Sequence, residues 1–208
     1  MTASHALAMA VTNFGESMVL ICTALAAAAW FWFSRQRHLA LCWLLAVGGC
    51  AATMTVLKLG FLTCGDLILQ GAIHTPSGHT AMASVFYGAA AITTGHLSSP
   101  LQQKRRLLLS AAVVLAIAVG VSRIAVSAHT PAEVAAAFVV GFGWLFVFSF
   151  LTRRDGAIPL PPPAMLAALG GLYGGLLALV MAGEHVTVEG VLGQIAHLLN
   201  TRWGVCVA

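Results

Sequence analysis

The sequence predicts an all-α fold, a polytopic membrane helix bundle of about six transmembrane helices. Three observations carry that reading. Hydrophobic residues make up 60% of the 208 and charged residues only 8%, against about 25% charged in a soluble domain. The apolar runs recur at lengths close to the roughly 20 residues that cross a bilayer. Basic residues cluster in every second loop. A chain this poor in charge has no polar coat, which excludes a soluble enzyme. The net charge of +4 sits in short loops and reads as membrane topology, so no nucleic-acid partner is expected. The partners expected are the bilayer and a membrane lipid. Residues 1–208 suit a single domain.

Taken in order, residues 1–14 are mildly apolar and carry only His5. No cleavable signal peptide is expected, since this stretch lacks Lys and Arg. The first span covers 17–33, and the basic loop Ser34-Arg35-Gln36-Arg37-His38 follows. The second covers 39–57 and ends at Lys58, leaving 59–75 as a mixed connector with Gly60, Gly65, Asp66 and His74. The third covers 78–94, and a loop with Lys104, Arg105 and Arg106 leads to the fourth at 108–126. A tight turn through His129 and Pro131 opens the fifth at 132–151; Arg153-Arg154 and a proline-rich break precede the sixth at 164–182. The tail, 183–208, reads as an amphipathic or surface segment. Gly170-Gly171 and Gly174-Gly175 form small-xxx-small pairs, which serve helix packing rather than chemistry. Of the five cysteines, three lie in apolar runs as small hydrophobes; Cys64 and Cys206 fall where they could meet on the outer face. No CxxC or Cys/His spacing marks a metal site.

Seven of the ten Lys and Arg residues fall in the loops after spans one, three and five. The positive-inside rule puts those loops in the cytoplasm. Lys58 and Arg123 then lie towards the outer side, at span ends, where a charge in apolar surroundings is costly and marks function. The ends of spans two and four and the starts of spans three and five share that face. Residues far apart in sequence are thereby brought to one place by topology alone.

Two motifs occupy it. Thr75-Pro76-Ser77-Gly78-His79 opens span three. Ser77 is a good N-cap, and the N–H groups and positive dipole end of a first helical turn attract an anion such as phosphate. An imidazole beside that anion can exchange a proton near neutral pH. The second motif is Ser122-Arg123-x5-His129-x3-Glu133. Arg123 offers a planar fork matched to phosphate oxygens. His129 and Glu133, four apart, share a helix face if the helix starts early enough. A carboxylate on one ring nitrogen leaves the other as nucleophile or base. A purely structural reading is open for each: Ser77 as a cap, and Thr130-Pro131-Ala132-Glu133 as a capping box with Pro at the first helical position. Two histidines and two cations on one face favour catalysis.

Pro76-Ser77-Gly78-His79 and Ser122-Arg123-x5-His129 resemble the second and third signature motifs of the type-2 phosphatidic acid phosphatase family, which includes the vanadium haloperoxidases. Lys58 resembles the lysine that opens the first motif, giving a motif core of 58–133. The resemblance implies an integral-membrane phosphatase with His129 as nucleophile, His79 as general acid, and Glu133, in the place of the usual aspartate, orienting His129. It further implies Lys58, Ser77, Gly78 and Arg123 as phosphate ligands, and neither metal nor other cofactor. Where the family's first motif ends in Arg-Pro, this chain has Gly65-Asp66; His74 is the stand-in expected for the missing arginine.

The expected reaction is metal-independent hydrolysis of a lipid phosphate or diphosphate through a phosphohistidine. Isoprenyl diphosphate, phosphatidate, phosphatidylglycerol phosphate and lipid A are the substrate types considered. The expected location is a bacterial inner membrane with the site on the periplasmic side. The alternatives are a lipid phosphotransferase using the same intermediate, a non-catalytic lipid-phosphate binder or transporter, and a structural membrane protein.

Overall fold

The least apolar of the six expected spans is the one the others surround. The structure is a computed structural model; it describes residues 3–69, 75–96, 102–153, 161–183 and 188–203, with side chains described for these except 65–69, 188–189 and 202–203. Helix α1 is Ala3–Asn13, α2 Ser17–Phe33, α3 Arg37–Leu69, α4 Gly78–Gly95, α5 Arg105–Ala125, α6 Pro131–Thr152, α7 Pro163–Met181 and α8 Val188–Trp203. No strand occurs among the described residues. Among the described residues, five stretches are long and apolar enough to cross a membrane: Ala3–Phe33, Arg37–Cys64, Arg105–Ala125, Pro131–Thr152 and Pro163–Met181. The fold is thus the membrane helix bundle the composition calls for.

Helix α4 is the exception, and its sequence explains why. It holds three Gly, five Ala, three Thr and one Ser among 18 residues. Small side chains let neighbouring backbones come close, the usual solution where helices pack inside a bilayer. Helices α2, α3, α5 and α6 all touch it, and most of its residues are buried. Sheathed by protein, it needs no lipid-facing stripe. The approach is tightest against α6, where a Cβ on Gly141 would lie 2.6 Å from the Ala81 carbonyl oxygen and 2.7 Å from the Ser84 Cβ. At the end away from His79, Trp43 meets Phe86 and Phe148 edge-on at 5.7 and 5.8 Å and donates its indole N–H to Thr93 Oγ1 at 3.1 Å. Buried tryptophan requires such a partner. Tyr87 on α4 donates to the Phe14 carbonyl at 2.7 Å and meets the Tyr173 hydroxyl on α7, also at 2.7 Å.

Three elements differ from the sequence reading. Residues 3–13 form α1, packed on α5 through a 2.7 Å bond between the buried hydroxyls of Thr12 and Ser122. Lys58 does not end its span: α3 continues to Leu69. The lysine is buried at 6% exposure because its ammonium reaches inward towards α4. Residues 59–69, expected as connector, are the last turns of α3. Within the tail, Val188–Trp203 forms α8, which packs on α3. Cys64 is disulfide-bonded, and Cys206 lies outside the described residues.

Basic side chains gather at the end remote from His79. Arg37 lies over Trp32 at 5.4 Å and Arg153 over Phe150 at 4.0 Å, cation–π pairs at the ends of spans. Gly95 closes α4 directly against Arg105 at the start of α5.

Overpacking a tight crossing costs about 1–3 kcal/mol. Gly141→Ala should therefore lower the thermal unfolding temperature of the purified protein in detergent. Gly171→Ala, whose added methyl meets nothing within 4 Å, should leave it unchanged or slightly raised.

Candidate active site

The head of α4 is built as the sequence suggests, with one difference. Ser77 is the N-cap residue, with extended backbone (φ −72°, ψ 108°), but its side chain makes no capping bond. Its Oγ instead accepts from Thr80 Oγ1 at 3.0 Å, and both side chains are wholly buried. The first-turn N–H groups therefore have no acceptor from Ser77, and the end of α4 keeps its capacity to hold an anion. Lys58 comes to this point from α3: a Cβ on Gly78 would lie 3.4 Å from its Nζ.

The second motif is shaped by the end of α5. The N–H of Ala128 donates to the Arg123 carbonyl at 3.0 Å and that of Ser127 to the Ile124 carbonyl at 2.9 Å, the pair of bonds that defines a Schellman ending. Ser127 takes the left-handed position usually given to glycine, φ 56°. His129 then donates its own N–H to the Arg123 carbonyl at 3.3 Å. The main chain of His129 is thereby fixed against the end of α5.

Helix α6 starts at Pro131 with Thr130 as N-cap, so His129 precedes the helix rather than sharing its face with Glu133. The contact forms all the same, because Glu133 folds back. One oxygen, Oε2, takes His129 Nδ1 at 2.9 Å and the Thr130 N–H at 3.0 Å, while the Glu133 N–H donates to Thr130 Oγ1 at 3.3 Å. The capping box is complete. The other oxygen, Oε1, accepts the Thr75 N–H at 3.2 Å, and the Glu133 main-chain carbonyl accepts the Ser77 N–H at 3.4 Å. A single residue therefore orients His129, caps α6 and holds the turn ahead of α4. Glu133 is 3% exposed, so all of this takes place away from bulk water. Nδ1 is thus the ring nitrogen committed to the carboxylate.

Lys58, Gly78, His79 and Arg123 line one cavity of about 400 Å³, within the usual range for a ligand site. Ser77, His129 and Glu133 do not line it. His129 is joined to its wall on both sides, through the Arg123 carbonyl and through Glu133 to the head of α4. The rest of the lining is largely apolar, including Met54, Met82, Val180, Met181 and Leu192. His74 lies outside the described residues, as do the side chains of Gly65 and Asp66.

Sequence reasoning missed a further group. Thr12, Asn13, Glu16 and Ser17, at the corner of α1 and α2, also line the cavity. The only signal was a short polar interruption, Asn13-Phe14-Gly15-Glu16-Ser17, between apolar runs. That marks a turn and says nothing of chemistry.

A membrane helix bundle with a cationic, histidine-bearing cavity at one end is the class that fold and site define. The sequence model of the PAP2 superfamily matches residues 61–156. This stretch runs from the last turns of α3 through α6 and holds His79, Arg123, His129 and Glu133; over it the chain is similar to the PAP2 superfamily, which supports a phosphatase-type activity. Over 195 residues the chain is 29% identical to an "Uncharacterized 22.5 kDa protein in cps region" of Klebsiella pneumoniae, covering 89% of this chain and 88% of that one. No solved structure matches the chain significantly.

Removing the Glu133 carboxylate strands several buried donors at once. Glu133→Ala should cost about 2–4 kcal/mol of stability, measured as thermal unfolding. A β-branched residue is poorly tolerated in a left-handed conformation. Ser127→Val should therefore destabilise by about 1–2 kcal/mol, while Ser127→Gly should unfold at the wild-type temperature or above.

Proposed function

We propose that the protein is an integral-membrane lipid phosphatase that works through a phosphohistidine on His129. The observation that carries this reading is that Lys58 and His79, at the N-terminus of α4, and Arg123, at the end of α5, line one cavity whose remaining wall is largely apolar. A phosphate headgroup suits the first and a hydrocarbon chain suits the second.

In this reading His129 Nε2 attacks phosphorus while Glu133 holds the Nδ1–H and stabilises the imidazolium that forms. Lys58, Arg123 and the first N–H groups of α4 take the charge on the equatorial oxygens. His79 gives its proton to the departing alcohol oxygen as the P–O bond breaks. It then takes a proton from water as that water attacks the phosphohistidine, releasing inorganic phosphate and restoring His129. His129 lies behind the cavity wall, so binding draws the phosphate between Arg123 and the head of α4 to reach it. No step calls for a metal.

The substrate is a lipid phosphate or diphosphate. The site lies on the outer, periplasmic side of a bacterial inner membrane. Support for that side is the gathering of seven of ten basic residues in the loops at the opposite end; the similarity to a Klebsiella protein agrees with a bacterial setting.

The test is phosphate release from a panel of lipid phosphates by purified protein with a chelator present. Release should persist in chelator, and His129→Ala should lower it by about a thousandfold or more. His79→Ala should lose about 100-fold or more, with a smaller loss for substrates whose leaving group needs no proton. Equal release by His129→Ala and wild type would overturn the proposal.

A further inference from the structure

One buried acid in the cavity has no part in the reaction above. Glu16 is 5% exposed and lines the cavity together with Lys58 and His79. It is the N-cap residue of α2, and its Oε2 accepts from the N–H groups of Met18 and Val19, the latter at 3.3 Å. Glutamate is an unusual choice there. Ser, Thr, Asp and Asn cap best because their short arms reach the first turn directly. A glutamate bent back on its own helix leaves a longer, fixed carboxylate at the cavity wall.

Two close approaches place this corner against the reacting end. A Cβ on Gly15 would lie 3.0 Å from the His79 carbonyl oxygen and 3.1 Å from the His79 Cβ, so the corner is pressed onto the residue that protonates the leaving group. Ser17 Oγ comes within 3.8 Å of the same point on Gly78. Asn13, Glu16 and Ser17 therefore line the cavity beside His79, which in the reading above serves the leaving alcohol. A carboxylate there accepts hydrogen bonds and repels further negative charge.

Resting on the phosphatase reading of the site, we propose that Asn13, Glu16 and Ser17 recognise a hydroxyl on the leaving alcohol. The preferred substrate is then a phosphomonoester whose alcohol carries a free hydroxyl close to the ester oxygen. A diphosphate is disfavoured, since its second phosphate would face Glu16.

The test compares lysophosphatidate bearing a twelve-carbon chain, which has a free hydroxyl, with dodecyl phosphate, which has none, and with farnesyl diphosphate. Wild type should favour lysophosphatidate over dodecyl phosphate by about tenfold or more in kcat/KM, as expected for a hydrogen bond to a charged group. Glu16→Ser, which keeps a good cap, and Glu16→Gln, which keeps the size, should bring that ratio to within about twofold. The loss should fall on lysophosphatidate, with dodecyl phosphate unchanged and farnesyl diphosphate turned over faster. Thermal unfolding of Glu16→Ser should match wild type. Indifference of wild type to the hydroxyl would overturn the proposal, as would an equal fall on both monophosphates in either variant. If wild type hydrolyses none of the three, it is the phosphatase reading that fails. The affinities of the two monophosphates, measured by calorimetry, then decide this proposal by themselves. A preference for lysophosphatidate that Glu16→Ser abolishes sustains it, and equal affinities end it.

Discussion

The site depends on the carboxylate of Glu133. Its two oxygens receive the His129 ring and the N–H groups of Thr130 and Thr75, and its own carbonyl receives Ser77. These partners come from two segments more than fifty residues apart. Buried polar groups that lose a partner are costly, so the turn ahead of α4 and the start of α6 hold one another in place. An aspartate would be one methylene shorter. The extra length is what lets a residue inside α6 reach back past its own N-cap to His129 and also across to Thr75. The substitution that looked like a departure from the family pattern is accommodated by putting the histidine before the helix.

Much of this was legible in the sequence, for physical reasons. Apolar runs of bilayer length gave the spans, because nothing else buries that much hydrocarbon in a chain of this size. Pro131 after Thr130, with Glu133 three residues on, gave the capping box, because backbone donors at a helix start need local acceptors. What sequence could not give was the direction of individual side chains. A lysine after an apolar run reads as the end of a span, since a charge in lipid is expensive. Lys58 escapes that cost by turning towards the head of α4, among the few polar groups of the cavity, and α3 runs on beyond it. Ser77 is a cap by position, yet Thr80 supplies its hydrogen-bond partner.

The central helix illustrates a related limit. Hydropathy measures the tendency to face lipid, and α4 barely does so. Its glycines, alanines, serine and threonines suit a helix wrapped by protein. Polar groups at its head can be held in fixed positions only if the surrounding helices exclude lipid and water. The close crossing at Gly141 and the Tyr87 bonds to Phe14 and Tyr173 fix α4 against α6, α7 and the corner between α1 and α2. That rigidity is what positions His79.

The division of labour along the chain follows. Residues 61–156, the part that matches the superfamily, contain His79, Arg123, His129 and Glu133, the groups to which the proposed reaction assigns the work on phosphorus. Much of the remaining cavity wall comes from outside that stretch. Met54 and Lys58 are on α3, Val180 and Met181 on α7, Leu192 on α8, and Asn13, Glu16 and Ser17 at the α1–α2 corner. Chemistry on a phosphoryl group makes the same demands whatever alcohol leaves, since the charge to be stabilised sits on the same oxygens. Recognition of the alcohol makes demands that differ from one substrate to the next. The seam between the two is Gly15, where a Cβ would lie 3.0 Å from the His79 carbonyl oxygen, so the α1–α2 corner and the head of α4 pack as one unit.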